Sequence, residues 1–218
     1  MKAMLKINFL GYSITEGAMA SRPEKTYVSL VGQLLPCEAR NYGIGGTRFA
    51  RQKHPSDIPQ YDRYFASRVE EMDFDADFVF VFGGTNDWGH GDAPLGKLGD
   101  NTPDTFYGAL EDLIQTLLKH YKKEQIVFIL PLHRFHDDNP LGEGNKKKPG
   151  PNLDAYVQAI LAVTKKETLT VLDFREAFGP VKSLTSNPLI ADGIHPNDRG
   201  HLLLAELLID YLRHVNKK

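Results

Sequence analysis

Residues 78–88 read FVFVFGGTNDW. Five consecutive apolar residues, three of them aromatic, meet two glycines and then a polar turn. An exposed or half-exposed strand alternates apolar and polar residues. A strand covered on both faces is apolar throughout, which is the signature of a parallel sheet packed between helices. Gly83 and Gly84 let the backbone leave such a strand sharply. The stretch therefore predicts a central parallel strand followed by a βα turn.

Working outward, Leu5–Leu10, Ile126–Leu130 and Leu169–Leu172 are further short apolar runs, and Cys37–Tyr42 is a weaker strand candidate. Helical signals lie between them. Thr102-Pro103-Asp104 is a helix start, and Phe106, Leu110, Leu113, Ile114, Leu117, Leu118 and Tyr121 recur along one helical face. Leu153, Tyr156, Val157, Ile160 and Leu161 repeat the pattern. A helix is expected from about Lys25 to Leu35, and Asn197 is placed to cap a last helix through about Tyr211. Strand and helix alternate, so the expectation is α/β architecture with a parallel sheet. No repeat or interdomain linker interrupts residues 1–218, which read as a single domain.

Composition narrows the function classes. The chain has 218 residues, 41% hydrophobic and 25% charged, with a net charge of −2. That charge gives no reason to expect nucleic acid or an anionic membrane. The one cysteine, Cys37, cannot form an internal disulfide, so a reducing, cytoplasmic setting is expected. Lys2 and Ala18-Met19-Ala20 imitate a secretory leader. Lys6, Asn8, Thr15 and Glu16 interrupt its apolar part, so the stretch reads as mature protein. No apolar run approaches the length of a membrane span. Oligomeric state is not legible.

Four segments carry groups that do chemistry. Ser13 follows the first strand in Gly11-Tyr12-Ser13-Ile14-Thr15-Glu16. It fits a capping box, S-x-x-E, and it also fits an exposed nucleophile. Asp192 and His195, in ADGIHPNDRGH (191–201), are spaced so that a carboxylate on a turn can orient an imidazole. Asn86 presents an amide after the strongest strand and could donate to an oxyanion. Asn41–Arg48, NYGIGGTR, exposes backbone N–H groups but is not the G-x-G-x-x-G pattern. Each segment alone also reads as an ordinary turn. Together they supply a nucleophile, a base, an orienting acid and oxyanion donors, the parts needed for acyl transfer.

In these blocks the chain resembles the SGNH (GDSL-type) hydrolases. The first block matches Gly11–Thr15, the second Asn41–Thr47, the third Gly84-Thr85-Asn86-Asp87 and the last Asp192–Pro196. The resemblance implies a flavodoxin-like three-layer α/β/α sandwich with about five parallel strands. It implies Ser13 as nucleophile, His195 as base and Asp192 as orienting acid. Gly46 and Asn86, with the Ser13 N–H, would form the oxyanion hole. One departure stands out: Tyr12 occupies the position where the family's first block usually carries an acid. Nor is this the G-x-S-x-G elbow of α/β-hydrolases, since Thr15 stands in the second glycine's place.

The expected function is hydrolysis of a small-molecule carboxylic ester through an acyl-enzyme. A short acyl group such as acetyl on a carbohydrate is favoured, because no long apolar loop suggests a lid over an acyl chain. A lysophospholipase, a thioesterase and a catalytically weak binding protein stay open as alternatives. His133, His136, Asp137 and Asp138 (HRFHDD) could ligate a metal, but no motif fixes a fourth ligand. The expectation is therefore no metal and no cofactor. Tyr12, Trp88 and His133 are candidates for shaping the pocket, and Lys146–Lys148 for a solvated loop.

Overall fold

The computed structural model describes residues 4–144 and 146–215; Lys2 of the leader-like stretch and Asn145 of the basic loop lie outside them. Five strands form one sheet: β1 (Leu5–Gly11), β2 (Cys37–Gly43), β3 (Phe78–Phe82), β4 (Ile126–Ile129) and β5 (Thr170–Leu172). Their order is β2-β1-β3-β4-β5 and every pairing is parallel. Among the described residues seven α-helices accompany them: α1 (Ser13–Glu16), α2 (Tyr27–Leu34), α3 (Thr85–His90), α4 (Phe106–Leu117), α5 (Leu153–Glu167), α6 (Arg175–Phe178) and α7 (Asp198–Val215).

Side-chain alternation in the central strands sorts the layers. Phe9 and Phe80 stack across β1 and β3 and meet Tyr27 of α2 and Tyr211 of α7. Phe128, on the opposite face, meets Phe49, which meets Phe106 of α4; Phe106 in turn meets Tyr156 of α5. The result is the three-layer α/β/α sandwich that the resemblance implies, built on the parallel sheet expected from the continuous apolar runs. β2 lies at one edge of the sheet, paired along its whole length with β1 and only partly buried, which explains its weak apolar signal.

The helix ends follow local chemistry. Asn197 caps α7, its side-chain oxygen accepting from Arg199 and Gly200 N–H. Thr26 caps α2 and Asn152 caps α5 in the same way. The expected start at Thr102-Pro103-Asp104 is one turn early. Thr105 holds the Gly108 N–H at 3.1 Å and α4 begins at Phe106, while the Pro103 carbonyl turns out to accept from Arg51.

Chain order sets where a site can form. From β1 the chain passes to β2 on one side, then crosses to β3 on the other. The carboxyl ends of β1 and β3 therefore flank the point where strand order reverses, the usual location of ligand sites in open parallel sheets. Ser13 follows β1 and Asn86 follows β3. Among the described residues no helix is long and apolar enough to cross a membrane.

Candidate active site

Ser13 is the first residue of α1, two residues beyond β1. Its hydroxyl does not cap the helix. Ser13 Oγ lies 2.9 Å from His195 Nε2, across 182 positions of sequence. His195 Nδ1 lies 2.7 Å from Asp192 Oδ2. The other carboxylate oxygen, Oδ1, accepts from the N–H groups of Ile194 (3.0 Å) and His195 (2.7 Å). Partial burial opposes ionisation of Asp192. The hydrogen bonds from the His195 ring and from the two backbone N–H groups outweigh it, and the pKa falls below the ordinary carboxylate value. An ionised Asp192 fixes Nδ1 as the protonated nitrogen, which leaves Nε2 free to accept the Ser13 proton.

Glu16, the other half of the expected capping box, is also diverted. Its carboxylate accepts from the Gly45 N–H at 3.1 Å, holding the loop after β2 against α1. That loop carries Gly46, whose φ of +73° lies in the left-handed region. A Cβ there would meet the Tyr61 ring at 2.2 Å, so glycine is required twice over. Among the described residues the N–H groups of Ser13 and Gly46 donate to no protein acceptor. Asn86 Nδ2 donates one hydrogen to the Thr47 carbonyl (2.9 Å), which joins the second and third blocks and leaves the other hydrogen uncommitted.

Arg68, which has no sequence signal in any of the four blocks, ties these pieces together. It lies in the 3₁₀ helix Phe65–Glu71 and is 2% exposed. Its guanidinium donates to the Gly11 carbonyl (3.1 Å), the Tyr42 carbonyl and Thr47 Oγ1 (2.9 Å). One side chain thus fixes the ends of β1 and β2 and the residue after Gly46. Burial lowers its pKa to about 10. An arginine in Ser67-Arg68-Val69-Glu70-Glu71 looks like surface in a sequence; only the fold turns it inward.

Three expected pocket residues fall elsewhere. Tyr12 is 1% exposed, edge-on to Phe82, with its hydroxyl 3.2 Å from Thr85 Oγ1. It fills the core beneath the β1–β3 junction rather than lining a pocket, because the residue between Gly11 and Ser13 points down into the sheet. Burial pushes its phenol well above the usual value. Trp88 belongs to α3 and is equally buried, under the Arg134 guanidinium at 4.9 Å. His133 pairs with Asp137 at 3.0 Å, and the cavity wall in its segment begins one residue later.

A second polar cluster surrounds α3. Asp87 accepts from Phe49 and Ala50 N–H at 3.0 and 2.9 Å. Its burial pushes the pKa up to about 6, against those two bonds and the charges of Arg48 and Lys146. His90 Nδ1 faces the Arg48 guanidinium (2.6 Å to Nη2); burial and then that charge bring its pKa down to about 4. Lys146, expected in solvent, is inserted here: its ammonium donates to the Asp87 carbonyl and lies over the Tyr156 ring.

Beside Asp192 is a cavity of about 460 Å³. Arg134, Phe135, Glu143, Leu184, Asp192 and Ile194 are among its walls. The loop after β4 and the loop carrying His195 are joined there by the Phe135 N–H to Gly193 carbonyl bond (2.7 Å).

Residues 9–203 match the GDSL-like lipase/acylhydrolase family. A Lactobacillus plantarum protein of known structure is 28% identical over 98% of this chain and 99% of that one, with a TM-score of 0.80. The lipase/acylhydrolase from Enterococcus faecalis is 22% identical over 97% and 96%, with a TM-score of 0.62. A carbohydrate acetylesterase family member from Sinorhizobium meliloti is 16% identical over 97% and 98%, with a TM-score of 0.64. At those identities the last two bear on the fold alone. No curated protein matches the chain.

Proposed function

The chain belongs to the GDSL-like lipase/acylhydrolase family, and from that premise we propose that it is a serine esterase acting on short-chain acyl esters, acetyl esters of carbohydrates foremost. The observation that carries this reading is the continuous relay Ser13 Oγ–His195 Nε2 (2.9 Å) and His195 Nδ1–Asp192 Oδ2 (2.7 Å). His195 removes the Ser13 proton as Oγ attacks the ester carbonyl. Asp192 stabilises the imidazolium that results. The uncommitted N–H groups of Ser13 and Gly46 and the second hydrogen of Asn86 Nδ2 receive the oxyanion. His195 returns its proton to the departing alcohol, leaving an acyl group on Ser13. Water, deprotonated by the same imidazole, then releases the acid and restores the hydroxyl.

Support for a short acyl group comes from the sequence, in which no long apolar loop stands ready to cover an acyl chain. We assign no metal or cofactor to this chemistry, since the side chains present account for every proton transfer. A cytoplasmic setting is proposed from the single cysteine.

Hydrolysis of p-nitrophenyl esters from acetate to octanoate, by the wild type and Ser13→Ala, tests the reading. The substitution is expected to lower kcat by roughly 10⁴–10⁶-fold, and the wild-type rate to fall with chain length. Equal rates for the two proteins remove Ser13 from the mechanism. A maximum at octanoate removes the short-acyl preference.

A further inference from the structure

The Gly46 N–H belongs to the least restrained peptide of its loop. Ile44, Gly45, Gly46 and Thr47 form a tight turn, in which the Ile44 carbonyl accepts from the Thr47 N–H at 3.4 Å and from Thr47 Oγ1 at 2.7 Å. The two outer residues are anchored. Ile44 N–H donates to the Gly11 carbonyl at 3.1 Å, and Asn86 and Arg68 both donate to Thr47. The N–H that must be aimed lies in the peptide between the two inner residues, and both of these are glycine. In a turn of this kind the inner peptide can rotate while the outer residues stay still. Its two orientations give the third residue a φ of about +80° in type II and about −90° in type I. Gly46, at +73°, holds the first. Rotation to the second would carry its N–H to the other side of the loop, and a glycine at each end of the peptide removes the side-chain barrier to it.

Glu16 supplies a restraint. Among the described residues, the bond from the Gly45 N–H to Glu16 Oε2 (3.1 Å) is the one hydrogen bond made to the backbone of either glycine. It fixes the direction of the Gly45 N–H and with it φ at Gly45, one of the two rotations upstream of the Gly46 N–H. The nucleophile's own helix places the carboxylate, since Glu16 is the last residue of α1 and Ser13 the first. The helix and the loop run backbone against backbone. A Cβ on Gly43 would lie 2.2 Å from the Glu16 nitrogen, and a Cβ on Gly45 would lie 3.7 Å from Ser13 Cβ. Asn41 Nδ2 adds a bond to the Thr15 carbonyl at 2.7 Å, so the contact does not depend on Glu16 alone.

We propose that Glu16 is a positioning residue for the reaction, its carboxylate holding the Gly45–Gly46 peptide in the orientation that aims the Gly46 N–H at the oxyanion. The effect on rate rests on the serine-esterase reading; the restraint on the loop does not. Glu16 acts as an acceptor and not as a charge, because a negative charge near an oxyanion opposes its formation. A glutamine presents an acceptor oxygen at the same place without the charge.

Glu16→Ala and Glu16→Gln are compared with the wild type in p-nitrophenyl acetate hydrolysis and in amide hydrogen exchange followed by NMR. Glu16 is exposed, so neither change disturbs the core. Glu16→Ala is expected to lower kcat about tenfold, less than the roughly 10²–10³-fold for removing an oxyanion donor outright, with KM within about twofold. Its Gly45 amide should exchange about tenfold faster while the β3 amides keep their wild-type rates. Glu16→Gln is expected to bring both kcat and Gly45 exchange back to within about twofold of the wild type. A wild-type kcat in Glu16→Ala, equal losses in the two variants, a loss confined to KM, or unchanged Gly45 exchange overturns the proposal. A wild type inert to p-nitrophenyl acetate counts against the esterase reading instead, and the exchange rates still decide whether Glu16 restrains the loop.

Discussion

Ser13 and Glu16 satisfy a capping pattern in sequence and use neither half of it in the fold. Ser13 Oγ goes to His195 and the Glu16 carboxylate to the Gly45 N–H. A local motif lost to two long-range hydrogen bonds because both partners belong to loops that the sheet brings to one edge. Asn86 shows the same dual character. Its amide holds the Thr47 carbonyl with one hydrogen and, in our reading, the oxyanion with the other. Asn86→Ala is expected to cost about 3–4 kcal/mol in the chemical step, roughly 10²–10³-fold in kcat. It should cost less in folding stability, about 1–3 kcal/mol, for the buried Thr47 carbonyl left without its donor. Steady-state kinetics beside a urea melt measure both; a loss of activity no larger than the loss of stability would remove Asn86 from the oxyanion site.

At the scale of the element, α3 is the unusual one. In six residues, Thr85–His90, it contributes Asn86 to the site, Asp87 to the loop at Phe49 and Ala50, and His90 to Arg48. Two of these groups titrate in opposite senses. Between the ordinary carboxylate range and about pH 6 the folded state protonates Asp87 while the unfolded chain does not, so Asp87 adds stability as pH falls through about 6. The unfolded chain protonates His90 below about pH 6.5. The folded state resists to about 4, so His90 removes stability over nearly the same window. The two slopes offset each other in the wild type. Asp87→Asn leaves the His90 slope alone, and the variant should lose more stability than the wild type between about pH 6.5 and pH 4.5. The excess is on the order of 2 kcal/mol, the linkage energy of a shift of about two pKa units. Thermal melts at the two pH values decide it, and parallel pH dependence in the two proteins would refute the assignment.

For the whole molecule, Arg68 is where the ends of β1 and β2 are coupled to the Gly46 loop, around the serine we propose as nucleophile. Arg68→Met would take a donor from the Gly11 and Tyr42 carbonyls and from Thr47 Oγ1, of which the Gly11 carbonyl keeps the Ile44 N–H at 3.1 Å. The expected loss is roughly 3 kcal/mol or more of stability, since each buried acceptor left unpaired carries its own desolvation cost. Arg68→Lys retains the charge but not the fork that reaches three acceptors. It should fold better than the methionine variant yet keep a depressed kcat with KM little changed. Full recovery of kcat by lysine would show that Arg68 contributes charge alone and does not set the geometry of the site.

The fold was legible because burial on both faces leaves a continuous apolar trace. FVFVF and IVFI announce covered parallel strands without reference to the rest of the chain. The blocks around Ser13, Asn86 and His195 were legible for a related reason: glycine, asparagine and Asp-x-x-His are tied to local backbone and side-chain chemistry. Residues whose role depends on which way they point were not. Tyr12 and Trp88 read as pocket and lie in the core, Lys146 reads as solvent and lies beside Asp87, and Arg68 read as nothing at all. The sequence by itself determined a parallel α/β sheet and the inventory of reactive groups, both written in local patterns. Only the tertiary structure decided which of those groups meet, since a 2.9 Å contact between positions 13 and 195 is a property of strand order and loop packing rather than of any neighbouring residue.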